Sequence, residues 1–183
     1  MTTKDPHEVI DQLSPTDAQT VLKTLAREDE SIAARAAEIA TERLSTVDPK
    51  AVAFELYDEL SLLEVEEVWD RAGPTRHGYV DPGEAADQMI GEIVQPYLGE
   101  LKKLHTLGMN VQANRLCMGL LLGLYRFECE STSEFKGWAP DAPSSFAWVV
   151  LDVWKKGSPG QSDLRALKTF IEDRLGGWSA DYI

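Results

Sequence analysis

Two arginines, a histidine and two aromatic side chains crowd into one short stretch of the chain, residues 69–82. The members that could contact a ligand are Trp69, Arg71, Arg76, His77 and Tyr79. Tryptophan, tyrosine and arginine are enriched at binding hot spots, and loops carry many binding residues. A histidine there would titrate near neutral pH. The stretch is therefore the candidate binding surface, and its positive charge would suit an acidic peptide or a carboxylate.

The same stretch also has a structural interpretation. Glycines and proline at Gly73-Pro74 and Gly78 are turn formers that any connector between helices needs. Arg71 or Arg76 would then tether the flanking acidic helices, for instance through Glu66 or Glu67. The residue pattern leaves both interpretations open.

A second stretch without helical periodicity, residues 130–143, contains Trp138. Loops of this length inside compact domains are commonly functional or mobile. Trp138 is therefore a further candidate binding residue, although Phe135 and Trp138 are also expected to hold this loop against the core. One helical turn capped at Ser131 would fit within it.

Catalytic and metal-binding signatures are not found in the sequence. It has no glycine-rich phosphate loop, no nucleophile elbow and no His-Glu-x-x-His, so we expect no catalytic residue, no metal and no cofactor. Glu64, Glu67 and Asp70 would share one helical face, which predicts a solvated acidic face or, alternatively, a weak divalent-cation site. Cys117 and Cys129, without CxxC spacing, are expected to be reduced thiols that pack in the protein.

Charge and composition limit the class of partner. The 183 residues carry a formal charge of −13, which repels phosphate backbones, so nucleic-acid binding is not expected. The acidity would suit a basic protein partner, or would serve solubility or a salty cytoplasm. No apolar run approaches the roughly 20 residues of a bilayer span, and the first residues do not resemble a targeting signal. We therefore expect a cytoplasmic protein without a membrane contact.

A repeated helix-start signal sets the architecture. A capping Asp or Ser followed by proline accepts hydrogen bonds from the free amides of a first helical turn, and proline suits the first helical position. The signal recurs at Asp5-Pro6, Ser14-Pro15, Asp48-Pro49, Asp81-Pro82 and Ser158-Pro159. Between these starts, apolar residues recur at the helical period. The signal predicts at least five helices.

Two helices have features of their own. The helix predicted from Pro82 to about Leu107 contains Pro96, which predicts a kink or break near Val94 and Gln95. It also places His105 at the edge of its buried stripe, as a core histidine. The helix from Val111 to about Glu128 is apolar nearly all round, which predicts a central, buried helix.

Two helical pairs resemble known repeats. Residues 13–44, with an alanine-rich second helix, resemble one unit of a HEAT-type helical repeat. The pair joined by Leu107-Gly108-Met109-Asn110 resembles a tetratricopeptide-like hairpin, but the tryptophan, glycine and alanine signature positions are not in register. These resemblances imply stacked helical hairpins that present grooves for partners.

The predicted fold is all-α, with about 8–10 helices stacked as hairpins in an α-solenoid-like or irregular bundle and no sheet. It is a single domain over residues 1–183, with 1–46 as a HEAT-like helical-pair appendage and 47–183 as the main core. The function expected is a non-enzymatic protein-interaction or scaffold module with a protein or peptide partner. The alternatives are a small-molecule or metal-dependent enzyme with a site near residues 69–81, and a structural oligomer subunit, such as a homodimer.

Overall fold

The chain is described by a computed structural model that covers residues 5–76 and 78–178, apart from the side chain of Arg43. Within those residues it forms nine α-helices, a short 3-10 helix and one two-stranded sheet. About 78% is helical, which confirms the predicted helical class. The prediction of no sheet is wrong. The chain divides into two compact units, with the boundary between Thr46 and Val47.

The N-terminal unit contains a helical hairpin. Its helices are α1 (Pro6–Asp11), α2 (Pro15–Glu28) and α3 (Glu30–Leu44), and α2 packs on α3. Asp29 makes the turn because its carboxylate accepts from the Ser31 amide at 2.8 Å and so caps α3. A hydrogen bond from the Ser31 hydroxyl is the main reason why the pKa of Asp29 is lowered. This unit has no buried residue in α1 or α2.

The second unit is built around one helix. Its elements are α4 (Pro49–Ser61), α5 (Val65–Arg71), β1 (Gly73–Thr75), β2 (Gly78–Val80), α6 (Pro82–Thr106), α7 (Asn110–Glu130), the 3-10 helix (Glu134–Trp138), α8 (Ala142–Lys156) and α9 (Gln161–Leu175). Helix α7 packs against α4, α6, α8 and α9, which confirms its predicted central position. Contacts on this many sides are typical of a helical bundle, since repeats in a solenoid contact only their neighbours.

The tightest helix contact joins α4 to α7 through two glycines. A Cβ atom on Gly119 would lie 2.7 Å from Val52 Cβ and 2.9 Å from the Pro49 carbonyl oxygen. A Cβ on Gly123 would lie 3.0 Å from Leu56 Cδ2. The two glycines let α4 lie directly on the backbone of α7. This contact fixes the first turn of α4, where Pro49 lies.

The helix-start signals are confirmed at four of the five positions. Asp5, Ser14, Asp48 and Asp81 each accept a hydrogen bond from a backbone amide in the first turn of their helix. The fifth prediction is wrong, because Ser158 has a left-handed φ of 56° and α9 begins at Gln161. Gly160 precedes that helix, and its amide donates to the Asp163 carboxylate at 3.2 Å.

The sheet is a hairpin inside the stretch that the sequence singled out. Its antiparallel strands pair Gly73 with Val80 and Thr75 with Gly78. Gly73 and Gly78 have φ values of 122° and 133°, a conformation that side chains with a Cβ rarely adopt. Gly73 and Gly78, which the sequence alone indicated as turn formers of a connector between helices, therefore allow a β-hairpin. Three residues per strand are too few for an alternating apolar pattern to show in the sequence.

Helix α6 runs from Pro82 to Thr106 and continues through Pro96, so the helix does not break near Val94 and Gln95, and the alternative of a kink there stays a prediction. Proline at this position removes the amide that would bond the carbonyl of Glu92, and its ring crowds the same carbonyl. Pro96 is exposed, and water can satisfy that carbonyl. The buried residues Val94 and Leu98 on either side keep the helix on the core. None of the helices in the described part of the chain has the length and hydropathy to cross a bilayer.

His105 lies near the C-terminal end of α6, next to the buried Leu104, as predicted. Both ring nitrogens are shielded from solvent and have no hydrogen-bond partner. The ring packs on Gly157, where an added Cβ would overlap the imidazole. Burial lowers the pKa of His105, because the charged imidazolium is poorly solvated there.

Acidification should therefore destabilise the protein through His105. Above the unfolded-state pKa of about 6.5, both states carry a neutral ring and the stability is unaffected. Below it the unfolded chain binds a proton that the folded chain does not, so the free energy of unfolding falls as the pH falls. Urea titrations at several pH values from about 7.5 to 5 would measure this loss.

His105→Phe should lose this contribution to the pH dependence, since phenylalanine keeps the ring without the titrating nitrogens. His7→Gln, at an exposed position of α1, removes a histidine outside the core and is the control. Parallel pH profiles for the wild type and His105→Phe would contradict the interpretation.

Candidate binding surface

The hairpin β1–β2 presents two of the candidate residues to solvent. Tyr79, opposite Pro74 in the register, is 69% exposed, and Arg76 beyond the end of β1 is also exposed. The Thr75 hydroxyl donates to the Gly78 carbonyl at 2.8 Å and closes the end of the hairpin. His77 lies outside the described residues. The hairpin thus exposes a phenol and a guanidinium on a backbone whose conformation two glycines allow.

Arg71 has a structural partner on another helix. One guanidinium nitrogen, Nη1, donates to both carboxylate oxygens of Glu92, each at 2.8 Å. The ion pair connects the last residue of α5 to the middle of α6. The tether that the sequence suggested exists, but its carboxylate is Glu92 and not Glu66 or Glu67. The charge of Arg71 is largely neutralised, so this surface is less positive than the sequence suggested.

Trp69 and Trp138 come together although they are far apart in the chain. Their rings meet edge to face, with centroids 4.8 Å apart. Trp69 projects from α5 and is still 54% exposed, and Trp138 ends the 3-10 helix. A Cβ on Gly83 would lie 3.3 Å from the Trp138 carbonyl, so the first turn of α6 also approaches this point. The two loops of the sequence analysis therefore meet at one aromatic pair.

A shallow groove of about 200 Å³, the Trp138 groove, lies beside that pair. Its walls are Trp138, Ala139 and Pro140, and Gly83 approaches from α6. Two carboxylates, Asp87 on α6 and Asp141 before α8, line it, together with Ala142 and Ser145. Within the described part of the chain neither carboxylate makes an ion pair or side-chain hydrogen bond, and no basic residue lines the groove. The groove suits a cation.

Sequence reasoning missed the residues that decide the charge of this surface. Asp87 and Glu92 are both acidic residues on a solvated helix face, so neither stands out in the sequence. Asp141 lies in the stretch of residues 130–143, where the sequence marks only Trp138 as a candidate binding residue. The signal for Asp87 and Glu92 is spatial, because they come close to Trp138 and Arg71 only after folding, whereas Asp141 is three residues from Trp138 in the chain but belongs to no recognisable motif.

The second loop is held down from within. Phe135 is fully buried, which confirms its predicted role against the core. The Lys136 ammonium donates to the carbonyls of Glu128 at 2.8 Å and Ser131 at 3.0 Å, and so satisfies the C-terminal end of α7. Ser133, rather than the predicted Ser131, caps the 3-10 helix. These contacts fix the position of Trp138 at the groove.

The acidic face predicted for α5 is incomplete. The helix begins at Val65, and Glu64 is an extended residue before it, so Glu64 does not share a helical face with Glu67 and Asp70. Across residues 5–76 and 78–178 no three metal-ligating side chains cluster. Cys117 and Cys129 are free thiols, and burial raises the pKa of Cys117, which keeps that thiol protonated.

The C-terminal segment packs back at Trp178. Its ring meets Tyr125 edge to face at 5.6 Å, and its Nε1 donates to Glu128 Oε1 at 3.1 Å. Residues 179–183 lie outside the described part of the chain.

No protein-family model, no curated protein and no solved structure matches this chain. The surface must therefore be interpreted from its own geometry.

Proposed function

We propose that this chain is a non-enzymatic protein-interaction module that binds a basic segment of a partner protein in the Trp138 groove. The observation that carries the proposal is the lining of the groove, which contains Trp138 and two carboxylates, Asp87 and Asp141, that make no ion pair within the described residues. An aromatic face attracts an ammonium or guanidinium group, and carboxylates form charge-assisted hydrogen bonds with the same groups. The groove is therefore complementary to a lysine or arginine side chain.

The exposed aromatic residues would extend the contact beyond the groove. Trp69 is more than half exposed and already ordered against Trp138, so it loses little conformational freedom when a partner covers it. Tyr79 and Arg76 on the hairpin would form the rim. Tryptophan, tyrosine and arginine are common anchors of such interfaces. A partner segment would then combine a basic side chain with an apolar neighbour.

The net charge supports the same partner. A formal charge of −13 accelerates association with a basic protein and disfavours an acidic one. Because Glu92 neutralises Arg71, the acidic peptide suggested by the sequence has only Arg76 to bind among the candidate arginines. The open shape of the groove favours a binding site over an enclosed catalytic one. A cytoplasmic location, a homodimer and repeat-like stacking remain predictions.

Capture from a native lysate, quantified by mass spectrometry, tests the proposal. Asp87→Asn with Asp141→Asn keeps the shape of both side chains and removes both charges. The expected result is that partners held by the wild type fall by about tenfold or more, because each charge-assisted hydrogen bond contributes roughly 1.5–3 kcal/mol. The captured proteins should carry lysine- or arginine-rich segments and should be released by salt.

Asp58→Asn with Asp173→Asn is the matched control. It makes the same change in net charge at exposed positions of α4 and α9 that do not line the groove. Equal losses with both double variants would mean that only the overall charge matters. Capture that survives Asp87→Asn with Asp141→Asn would exclude the groove as the binding site.

A further inference from the structure

A second cavity lies between other helices of the same unit, where the first turn of α4 meets α7 and α9. It measures about 340 Å³, near the lower end of the range for small-molecule sites. We call it the α4–α7–α9 cleft. Its lining residues are Asp48, Pro49, Lys50, Met118, Leu122, Phe170 and Arg174. None of them lines the Trp138 groove, so the two sites are separate.

The floor of the cleft is apolar and is left partly open. Met118 and Leu122 come from one face of α7, Phe170 comes from α9, and all three are half-buried. Pro49 lies beside them and is held in place because its carbonyl approaches Gly119. A floor of this kind contributes favourable free energy when a ligand displaces water from it.

The rim is positive although the chain is strongly acidic. Lys50 and Arg174 line the cleft, and within the described residues neither has an ion-pair or side-chain hydrogen-bond partner. Asp48 is the one acid in the lining, and its carboxylate accepts from the Lys50 amide at 3.0 Å as the cap of α4. Its charge is thus directed at the amides of a helix N-terminus, which are themselves partly positive.

We propose that the α4–α7–α9 cleft binds a small amphipathic anion, namely a carboxylate with an apolar body. The body would lie on Met118, Leu122 and Phe170, and the carboxylate would lie at the rim formed by Lys50 and Arg174. A guanidinium group matches the geometry of a carboxylate, and a flexible lysine can adjust to it. An inorganic anion alone would leave the apolar floor uncovered. This ligand is independent of the protein partner proposed above.

Octanoate is the probe, and the methyl signal of Met118 in the full chain labelled at its methionine methyl groups is the readout. The expected result is a saturable shift of that signal with a dissociation constant of about 1 mM or tighter, given a ligand of roughly ten heavy atoms. The neutral analogue 1-octanol should bind about tenfold more weakly, and sulfate should not shift the signal. Absence of a saturable octanoate shift, or a sulfate shift of equal size, would overturn the proposal.

Lys50→Gln with Arg174→Gln should weaken octanoate binding by about tenfold or more while leaving octanol binding unchanged. Arg165→Gln with Lys168→Gln removes the same charge from α9 at positions that do not line the cleft, and octanoate should bind this control as it binds the wild type. Equal affinity for octanoate and octanol in the wild type, or an equal loss in both double variants, would contradict the proposal. Retention of all other methyl signals shows that each variant is folded.

Discussion

Gly119→Leu should lower the free energy of unfolding by about 3 kcal/mol, near the upper end of what overpacking usually costs. A single Cβ at this position would already lie 2.7 Å from Val52 Cβ and 2.9 Å from the carbonyl oxygen of Pro49. Side-chain rotation does not move Val52 Cβ, and the backbone of Pro49 can move only if α4 moves. Leucine would therefore force apart the helix pair at the centre of the second unit.

Gly99→Leu is the matched control, since it makes the same substitution inside a helix. Gly99 is exposed on α6, and apart from its chain neighbours and the adjacent helix backbone no atom lies within 4 Å of the place where its Cβ would stand. Leucine is a better helix former than glycine by several tenths of a kcal/mol or more, so this variant should be slightly more stable than the wild type. Urea unfolding gives both values. Equal effects of the two substitutions would show that helix propensity, not packing, decides both.

Phe127→Ala should cost about 3–5 kcal/mol, because the lost ring leaves a cavity that the surrounding helices cannot fill. Phe127 lies on α7 and is among the largest fully buried side chains. Val111→Ala on the same helix is the control, because Val111 is 55% exposed and its truncation should change stability by less than about 0.5 kcal/mol. Denaturant titration measures both free energies.

A cost below about 1 kcal/mol for Phe127→Ala would contradict the central position of α7. The slope of the unfolding transition provides a further check. It should remain near the wild-type value if the variant unfolds from the same native state, and a reduced slope would indicate that the core had already loosened.

The helices were predictable because their determinants are local. A capping carboxylate followed by proline acts on amides two or three residues away, so Asp5, Ser14, Asp48 and Asp81 could be recognised in the sequence. The central position of α7 was also predictable, because a helix that is apolar all round must be covered on all sides. The helix start predicted at Ser158 is wrong because the left-handed backbone of Ser158 depends on the chain around it. The hairpin at residues 73–80 was missed because its strands are too short to show a period.

The candidate surface was only partly predictable. Residue types marked Trp69, Arg76 and Tyr79 as candidates, and the structure leaves all three side chains exposed. Which partner each residue meets was not predictable. Trp138 packs on Trp69 and Arg71 binds Glu92, and both contacts join segments far apart in the chain.

The sequence by itself determined the helical class, most helix starts, the central helix and the residue types of the candidate surface, since these follow from local hydrogen bonding and apolar periodicity. Only the tertiary structure decided the charge of that surface, because Glu92 neutralises Arg71 while Asp87 and Asp141 line the groove without an ion-pair partner among the described residues. The tertiary structure also created the α4–α7–α9 cleft, which Lys50 and Arg174 line. The residues next to them in the sequence give no sign of this cleft. Electrostatic and packing energies depend on distances in space, and residues far apart in the chain acquire those distances only when the chain folds.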